Sequence, residues 1–202
     1  MTKVGVLDYG SGNLHSVTRA LAAAGAEVVL ASDAAEMQRC DRLVVPGVGA
    51  FAACVAGLNA GGGADIVRDW VAAERPLLGI CVGHQVLFTS GDEHGIVTDG
   101  LGVLPGHVTR LAAHRLPHMG WNFIEAPSDS VLFAGVQRER FYFVHSYAVT
   151  DPPLDALVTT ARHEDAPFVA AVERGAVAST QFHPEKSGAA GARLLRNWVD
   201  AA

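Results

Sequence analysis

The chain has 202 residues, half of them hydrophobic, and a formal net charge of −6 from 15 basic and 21 acidic residues. That apolar content is enough for one large core without disulfides or metal sites, so we expect a single domain over residues 1–202. An acidic chain without a lysine- or arginine-rich run is a poor match for nucleic acid or an anionic membrane surface.

We expect no targeting segment in this chain. The N-terminus has neither the apolar stretch nor the small-residue cleavage site of a secretion signal, and no segment approaches the roughly 20 apolar residues of a membrane helix. Cys40, Cys54 and Cys81 lack CxxC spacing, which argues against a disulfide framework or a zinc site. We therefore expect a soluble, cytoplasmic protein without a metal or cofactor.

The first half alternates between strand and helix patterns. Residues 3–7 form an apolar, β-branched run, followed by the turn DYGSG and by apolar residues at helical spacing from Leu14 to Leu21. Further strands are predicted at residues 27–30, 42–45 and 76–80, and a further helix at residues 64–73. Such alternation, with strands that are apolar throughout, is typical of an α/β fold whose parallel sheet is covered on both faces.

The second half has a different pattern. Strands are predicted close together, at residues 103–112, 120–124, 140–149, 157–161 and 168–173, with a single helix at residues 188–199. No linker or low-complexity stretch separates the two halves. The predicted architecture is therefore a mostly parallel central sheet flanked by helices, with an antiparallel strand extension.

The segment GICVG, residues 79–83, follows a predicted strand and precedes a predicted helix. This is the pattern of the strand-to-helix elbow that presents a nucleophile, with glycines where side chains would keep the two backbones apart. Cys81 would lie at the carboxyl end of a strand, where the helix N-terminus favours its thiolate. Taken alone, Cys81 is equally compatible with a small core residue, which is our interpretation of Cys40 and Cys54.

A nucleophilic cysteine needs a base and a group that orients the base. His183 follows another apolar strand candidate, and Glu185 lies on the same side of an extended chain. A neighbouring carboxylate fixes the tautomer of an imidazole and stabilises its protonated form. Taken singly, the two are more simply explained as a loop histidine and an exposed carboxylate. The chain lacks the PCxxC of a zinc deaminase and the HExxH of a metalloprotease.

Acyl transfer also needs N–H donors for a developing oxyanion. The candidates are Val82, directly after Cys81, and Val48, in the loop PGVG at residues 46–49. Judged alone, that loop is better explained as an ordinary glycine-rich turn.

The order of the elbow, the PGVG loop and the motif HPE resembles the class I glutamine amidotransferases. The segments DYGSGN, PGVGAF, PHMGWN, YFVHSY and QFHPEKS, spread over nearly the whole chain, are similar to one group of that family, the glutaminase subunits of imidazole glycerol phosphate synthase. The resemblance implies that Cys81 attacks the side-chain amide of L-glutamine and forms a thioester. His183 would act as base and then as acid to the leaving ammonia, and Glu185 would orient His183.

The resemblance also implies binding residues. Contacts to glutamine are expected from Gly49, Gln85 and Ser146. The expected partner is a cyclase subunit of (β/α)8-barrel fold, which forms a heterodimer with the chain and uses the ammonia to make imidazole glycerol phosphate and the aminoimidazole carboxamide ribonucleotide in histidine biosynthesis. Candidates for that interface are Asn13, Trp121, Asn122 and Lys186, although Trp121 and Asn122 also suit strand positions in the core.

His84 departs from the family, which more often has methionine at this position. A charged imidazole there would shift the pKa of the thiol. We instead expect the side chain to point away along the helix, and we leave His84 out of the catalytic set.

Two alternatives stay open. Other cysteine hydrolases of the same sheet architecture also place a cysteine after a strand, but the late HPE motif argues against them. An inactive, regulatory amidotransferase-like subunit would have no need of all three triad residue types.

Overall fold

The computed structural model describes residues 1–201, and its first half alternates between strands and helices. The elements are β1 (Lys3–Leu7), α1 (Leu14–Ala23), β2 (Glu27–Ala31), α2 (Ala34–Gln38), β3 (Arg42–Gly47), α3 (Phe51–Ala60), α4 (Gly63–Ala72), β4 (Leu77–Cys81) and α5 (Val82–Gln85). The predicted strands and helices are present here. Helices α2 and α3 are additional, because α2 is short and α3 is apolar on every side, so neither has a clear helical period.

The second half is dominated by strands. Its elements are β5 (Phe88–Glu93), β6 (Ile96–Asp99), β7 (Leu104–Arg110), β8 (His118–Phe123), β9 (Arg140–His145), β10 (Tyr147–Val149), β11 (Leu157–His163), β12 (Ala166–Arg174), β13 (Val177–Thr180) and α6 (Gly188–Asp200). The strand predicted at residues 140–149 is divided at Ser146. The hairpin of β5 and β6 has no counterpart in the prediction, because its sequence is largely polar.

Seven strands form the central sheet, in the order β11-β12-β13-β4-β3-β1-β2. The pairs from β13 to β2 are parallel, and β12 and β11 extend the sheet in antiparallel fashion. Helix α1 packs with α6, and α2 and α3 pack with α4, so two groups of helices flank the sheet. The predicted fold class is confirmed.

Two smaller sheets complete the structure. One has the order β10-β7-β5-β6, and the other pairs β8 with β9. The central strands supply the core, because Val6, Val44 and Leu78 on three neighbouring strands are fully buried. Among residues 1–201, no helix is long and apolar enough to cross a membrane.

Candidate active site

Cys81 lies in a strained turn at the end of β4. Its backbone has φ +56° and ψ −112°, a conformation that non-glycine residues rarely adopt. A Cβ added at Gly79 would lie 2.8 Å from the carbonyl oxygen of Gly83, and one added at Gly83 would lie 1.9 Å from the carbonyl oxygen of Val45. The glycines therefore permit the close approach predicted for an elbow. The helix that follows, α5, is only one turn long, because the chain enters β5 at Phe88.

The order of the sheet brings the separate motifs to one edge. Strand β4 lies between β3 and β13, and both neighbours run parallel to it. Gly47 pairs with Cys81 across one side, and Thr180 pairs with Ile80 across the other. The PGVG loop and the HPE motif therefore lie on either side of the cysteine, at the carboxyl ends of the strands.

His183 and Glu185 form a buried pair. Nδ1 of His183 lies 2.8 Å from Oε1 of Glu185, and their side chains are 3% and 1% exposed. The backbone is not extended through the pair, since Glu185 lies in a 3-10 turn, Pro184–Lys186. The Ser187 hydroxyl donates to the carbonyl of His183, and the N–H of His183 donates to the carbonyl of Tyr142, so the backbone that carries the imidazole is anchored on both sides.

The environment of His183 favours a positive charge. Burial alone would lower the pKa of His183, but hydrogen bonding and charge interactions with Cys81 and Glu185 outweigh it and raise the pKa to about 9. With Nδ1 held by Glu185, Nε2 is the nitrogen left to exchange a proton with the Cys81 thiol.

The two candidate oxyanion donors, the N–H groups of Val82 and Val48, differ in their hydrogen-bond partners. Val82 is the first residue of α5, so its N–H has no partner within the helix. The N–H of Val48 instead donates to the Ser11 hydroxyl at 3.1 Å, and the Val48 carbonyl accepts from Ser11 at 2.9 Å and from the Cys54 thiol at 3.3 Å. In this conformation the N–H of Val48 is therefore occupied by Ser11, and its role as an oxyanion donor stays a prediction.

A cavity of about 570 Å³ adjoins Cys81. It is lined by most of the predicted site residues: Val48, Gly49, Cys81, Val82, Gln85, Ser146, His183 and Lys186. Three further residues of the lining, Val144, His145 and Tyr147, belong to the motif YFVHSY, and four carry no signal in the sequence: Glu93, His94, Arg110 and Leu116. Glu93 belongs to the unpredicted hairpin, and nothing local distinguishes Arg110 from a surface arginine.

The family model described as "Glutamine amidotransferase class-I" matches residues 5–202. The chain belongs to the class I glutamine amidotransferases. The family expected from the motifs is confirmed.

Several curated relatives of this amidotransferase share one name, imidazole glycerol phosphate synthase subunit HisH. The relative from Cutibacterium acnes is 58% identical over 198 residues, which cover 98% of this chain and 96% of the relative. The relative from Corynebacterium diphtheriae is 55% identical over 211 residues and covers 99% of each chain. The relative from Mycobacterium tuberculosis is 57% identical over 198 residues and covers 96% of each chain.

Solved structures of lower identity share the fold. One, described as a crystal structure of glutamine amidotransferase, has a TM-score of 0.77 at 24% identity and covers 97% of this chain and 98% of that one. Another, described as the structure of PurLQS from Thermotoga maritima, has a TM-score of 0.74 at 17% identity and covers 97% and 96%. The fold of this chain is therefore shared with these structures over nearly its whole length.

Gln85, a candidate substrate contact of this amidotransferase, has its side chain held by two hydrogen bonds. Its Nε2 donates to the carbonyl of Tyr147 at 2.8 Å and to Oε1 of Gln181 at 2.9 Å. Both amide hydrogens are therefore used within the protein, and Oε1 is the atom left for the cavity. Ser146 and Gly49 also line the cavity, and Gly49 has a φ of +87°.

The four candidate interface residues lie in different environments. Lys186 is exposed at the cavity, and Asn13 precedes α1 without capping it by a side-chain hydrogen bond. Trp121 is 52% exposed, so it is not a core residue. Asn122 faces inward, where its Nδ2 donates to the carbonyl of Arg162 at 2.8 Å.

His84 lies behind the elbow, away from the cavity. It is fully buried, and its Nδ1 lies 2.7 Å from the Ser179 hydroxyl. Its Nε2 has no hydrogen-bond partner within residues 1–201. Burial lowers the pKa of His84 to about 3, so the ring is neutral at neutral pH and adds no charge beside Cys81.

Proposed function

We propose that this amidotransferase is the glutaminase subunit of imidazole glycerol phosphate synthase, which releases ammonia from L-glutamine for a cyclase subunit. The observation that carries the proposal is the shared cavity of Cys81 and the buried His183–Glu185 pair. The curated relatives named as subunits of that synthase, 55–58% identical over nearly the whole chain, support this assignment.

The chemistry is acyl transfer through a thioester. The proton of the Cys81 thiol passes to Nε2 of His183, and the Sγ thiolate then attacks the side-chain amide carbon of glutamine. His183 then protonates the leaving amine, so that the C–N bond breaks and ammonia departs. A water molecule, deprotonated by His183, attacks the thioester, and glutamate leaves as the thiol is restored. Glu185 stabilises the imidazolium that forms in both halves of the reaction.

Only one of the two candidate N–H donors of the oxyanion hole is free in the described conformation. The N–H of Val82 can stabilise the negative oxygen, but that of Val48 is held by the Ser11 hydroxyl. Loss of one such donor lowers kcat by about 10²- to 10³-fold in other acyl-transfer enzymes. We therefore propose that this conformation hydrolyses glutamine slowly and that rearrangement of the Val48 loop speeds the reaction.

Charges in the cavity match the two ends of an amino acid. Glu93 and Arg110 both line it, which suits the α-ammonium and the α-carboxylate of glutamine respectively. One oxygen of Glu93 is anchored by the N–H of Phe51 at 2.7 Å, which fixes the carboxylate in place. Gln85 Oε1 supplies a neutral acceptor in the same cavity.

For the partner, we propose a cyclase of (β/α)8-barrel fold that docks beside the cavity. Trp121 is flanked on the outer face of β8 by Met119 and Phe123, and the three side chains are 52–62% exposed. An exposed apolar row of this kind is typical of a surface that another protein covers. Lys186, exposed at the cavity, is the candidate contact nearest the chemistry.

The test is a paired assay of the purified chain, alone and with the cyclase subunit and its nucleotide ligand. We expect glutamate release to rise when both are added, and ammonia to appear in the cyclase product rather than in solution. A rate of glutamine hydrolysis that does not change when the cyclase and its ligand are added would contradict the assignment to this synthase. No hydrolysis under any condition would contradict the glutaminase activity.

A further inference from the structure

A chain of hydrogen bonds runs beside the cavity, from β8 to the start of β10. His118 and His145 pair in the register of β8 and β9, and Nδ1 of His118 lies 3.0 Å from Nε2 of His145. On one side, Nε2 of His118 lies 3.2 Å from Nδ2 of Asn122. On the other, Nδ1 of His145 lies 3.1 Å from the carbonyl oxygen of Tyr147.

Only one arrangement of protons satisfies the neutral chain. The carbonyl of Tyr147 only accepts, so His145 carries its hydrogen on Nδ1 and accepts at Nε2. His118 must then donate from Nδ1, and its Nε2 accepts from the amide of Asn122. Burial lowers the pKa of His145 to about 3 and that of His118 to about 4, so both rings are neutral at neutral pH.

Packing holds both rings in these orientations. The ring of His118 is stacked between those of Phe143 and His163, with centroid distances of 4.9 and 4.3 Å. The ring of His145 lies against the edge of Phe168 at 4.9 Å. Within residues 1–201, no three His, Cys, Asp or Glu side chains are arranged to hold a metal ion, so the cluster is a hydrogen-bonded one.

The carbonyl of Tyr147 joins this chain to the cavity. It accepts from His145 and also from Nε2 of Gln85, whose second amide hydrogen goes to Gln181. The position of that carbonyl therefore determines how the Gln85 amide is turned, and hence whether Oε1 of Gln85 faces the cavity. His145 lines the cavity as well.

We propose that His118 and His145 are positioning residues for glutamine binding: through the Tyr147 carbonyl they hold the Gln85 amide so that its oxygen accepts a hydrogen bond from an N–H group of the substrate. This inference rests on the proposed function, because the affinity that it explains is the affinity of the active site for L-glutamine. Asn122 is then the end of this chain of hydrogen bonds.

Phenylalanine and asparagine variants separate hydrogen bonding from packing. His118→Phe and His145→Phe keep a flat ring and lose the hydrogen bonds, while His145→Asn restores a donor near the position of Nδ1. His163→Phe is the matched control, because it keeps the stacked ring on His118 and lies outside the chain. Binding of L-glutamine is measured by calorimetry in the Cys81→Ala background, and KM and kcat are measured with Cys81 present.

We expect His145→Phe to weaken glutamine binding and raise KM about tenfold, with kcat changed less than threefold. We expect a smaller rise in KM for His118→Phe. His145→Asn should recover most of the affinity for glutamine, and His163→Phe should bind glutamine as the parent does. Binding within twofold of the parent in both His118→Phe and His145→Phe would overturn the proposal. Equal weakening in His163→Phe would also overturn it, because loss of an imidazole outside the hydrogen-bonded chain would then have the same effect.

The tautomers provide a readout that does not depend on turnover or on the folding of a variant. We expect ¹⁵N NMR of the unsubstituted chain to show both rings neutral, with hydrogen on Nδ1, from pH 5.5 to 8. Hydrogen on Nε2 in either neutral ring, or an imidazolium at pH 7, would overturn the proposal. If glutamine is never hydrolysed, the proposed function fails, yet the tautomers and the calorimetry still decide the role of the histidine pair.

Discussion

The carboxylate of Glu185 lies 2.8 Å from Nδ1 of His183, and both side chains are almost completely buried. Because that hydrogen bond fixes the tautomer, we expect Glu185→Gln to lower kcat by about 10³-fold or more while KM changes little. The measurement is steady-state glutamate release, with Glu139→Gln, which alters an exposed carboxylate, as the control. A kcat within tenfold of the parent would mean that Glu185 does not orient the base.

Ser11 restrains the Val48 peptide through two hydrogen bonds to one hydroxyl. Ser11→Ala frees the N–H of Val48, so we expect the glutaminase rate without partner to rise about 10- to 100-fold, towards the rate with partner. Ser11→Thr, which keeps the hydroxyl, is the control. An unchanged or lower rate in a folded Ser11→Ala variant would show that Ser11 does not hold back the second donor.

Arg110 is the candidate partner of the substrate carboxylate. Since it is expected to bind glutamine equally in the ground and transition states, Arg110→Gln should raise KM about 10- to 100-fold and leave kcat within a few-fold. Arg110→Lys keeps the charge and should recover part of the loss. If kcat falls instead while KM stays constant, Arg110 acts on the chemistry and not on binding.

Much of this site can be predicted from the sequence because its signals are local. The glycines around Cys81 and the spacing of His183 and Glu185 lie within short segments, where the chemistry restricts residue choice. Long-range contacts carry no such signal: the Ser11 hydroxyl reaches Val48 across 37 residues, and the side chains of Glu93 and Arg110 meet at the cavity only after folding.

The elements of the fold likewise divide into those with a local sequence signal and those without one. Strands β1, β3 and β4 are apolar runs because the sheet is covered on both faces, so their sequence predicts them. The β5–β6 hairpin is partly exposed and largely polar, and periodicity does not reveal it. The order of strands is set by packing between distant segments, which a single sequence does not display.

Buried His84 makes stability depend on pH. Its pKa is about 3 in the folded chain and about 6.5 unfolded, so the unfolded chain binds more protons at intermediate pH and stability is lost as pH falls below about 6.5. From pH 7 to pH 5, His84 alone contributes a loss of about 2 kcal/mol in the free energy of unfolding.

We therefore expect His84→Met to reduce the loss of stability on acidification by about 2 kcal/mol, because methionine fills the site without a titrating group. The measurement is urea unfolding at pH 7 and pH 5. His15→Met, at the exposed position 15, is the control. An equal pH dependence in the His84→Met variant and the parent would mean that His84 is not held neutral by burial.

The central claim is that Cys81 is the nucleophile, and the chain contains its own control in the buried Cys40. The direct measurement is glutamate release by Cys81→Ala and Cys40→Ala, each with the cyclase and its nucleotide ligand present. We predict that Cys81→Ala falls to the background rate and that Cys40→Ala keeps most of the parent activity. Hydrolysis by Cys81→Ala at more than about a tenth of the parent rate would contradict the claim.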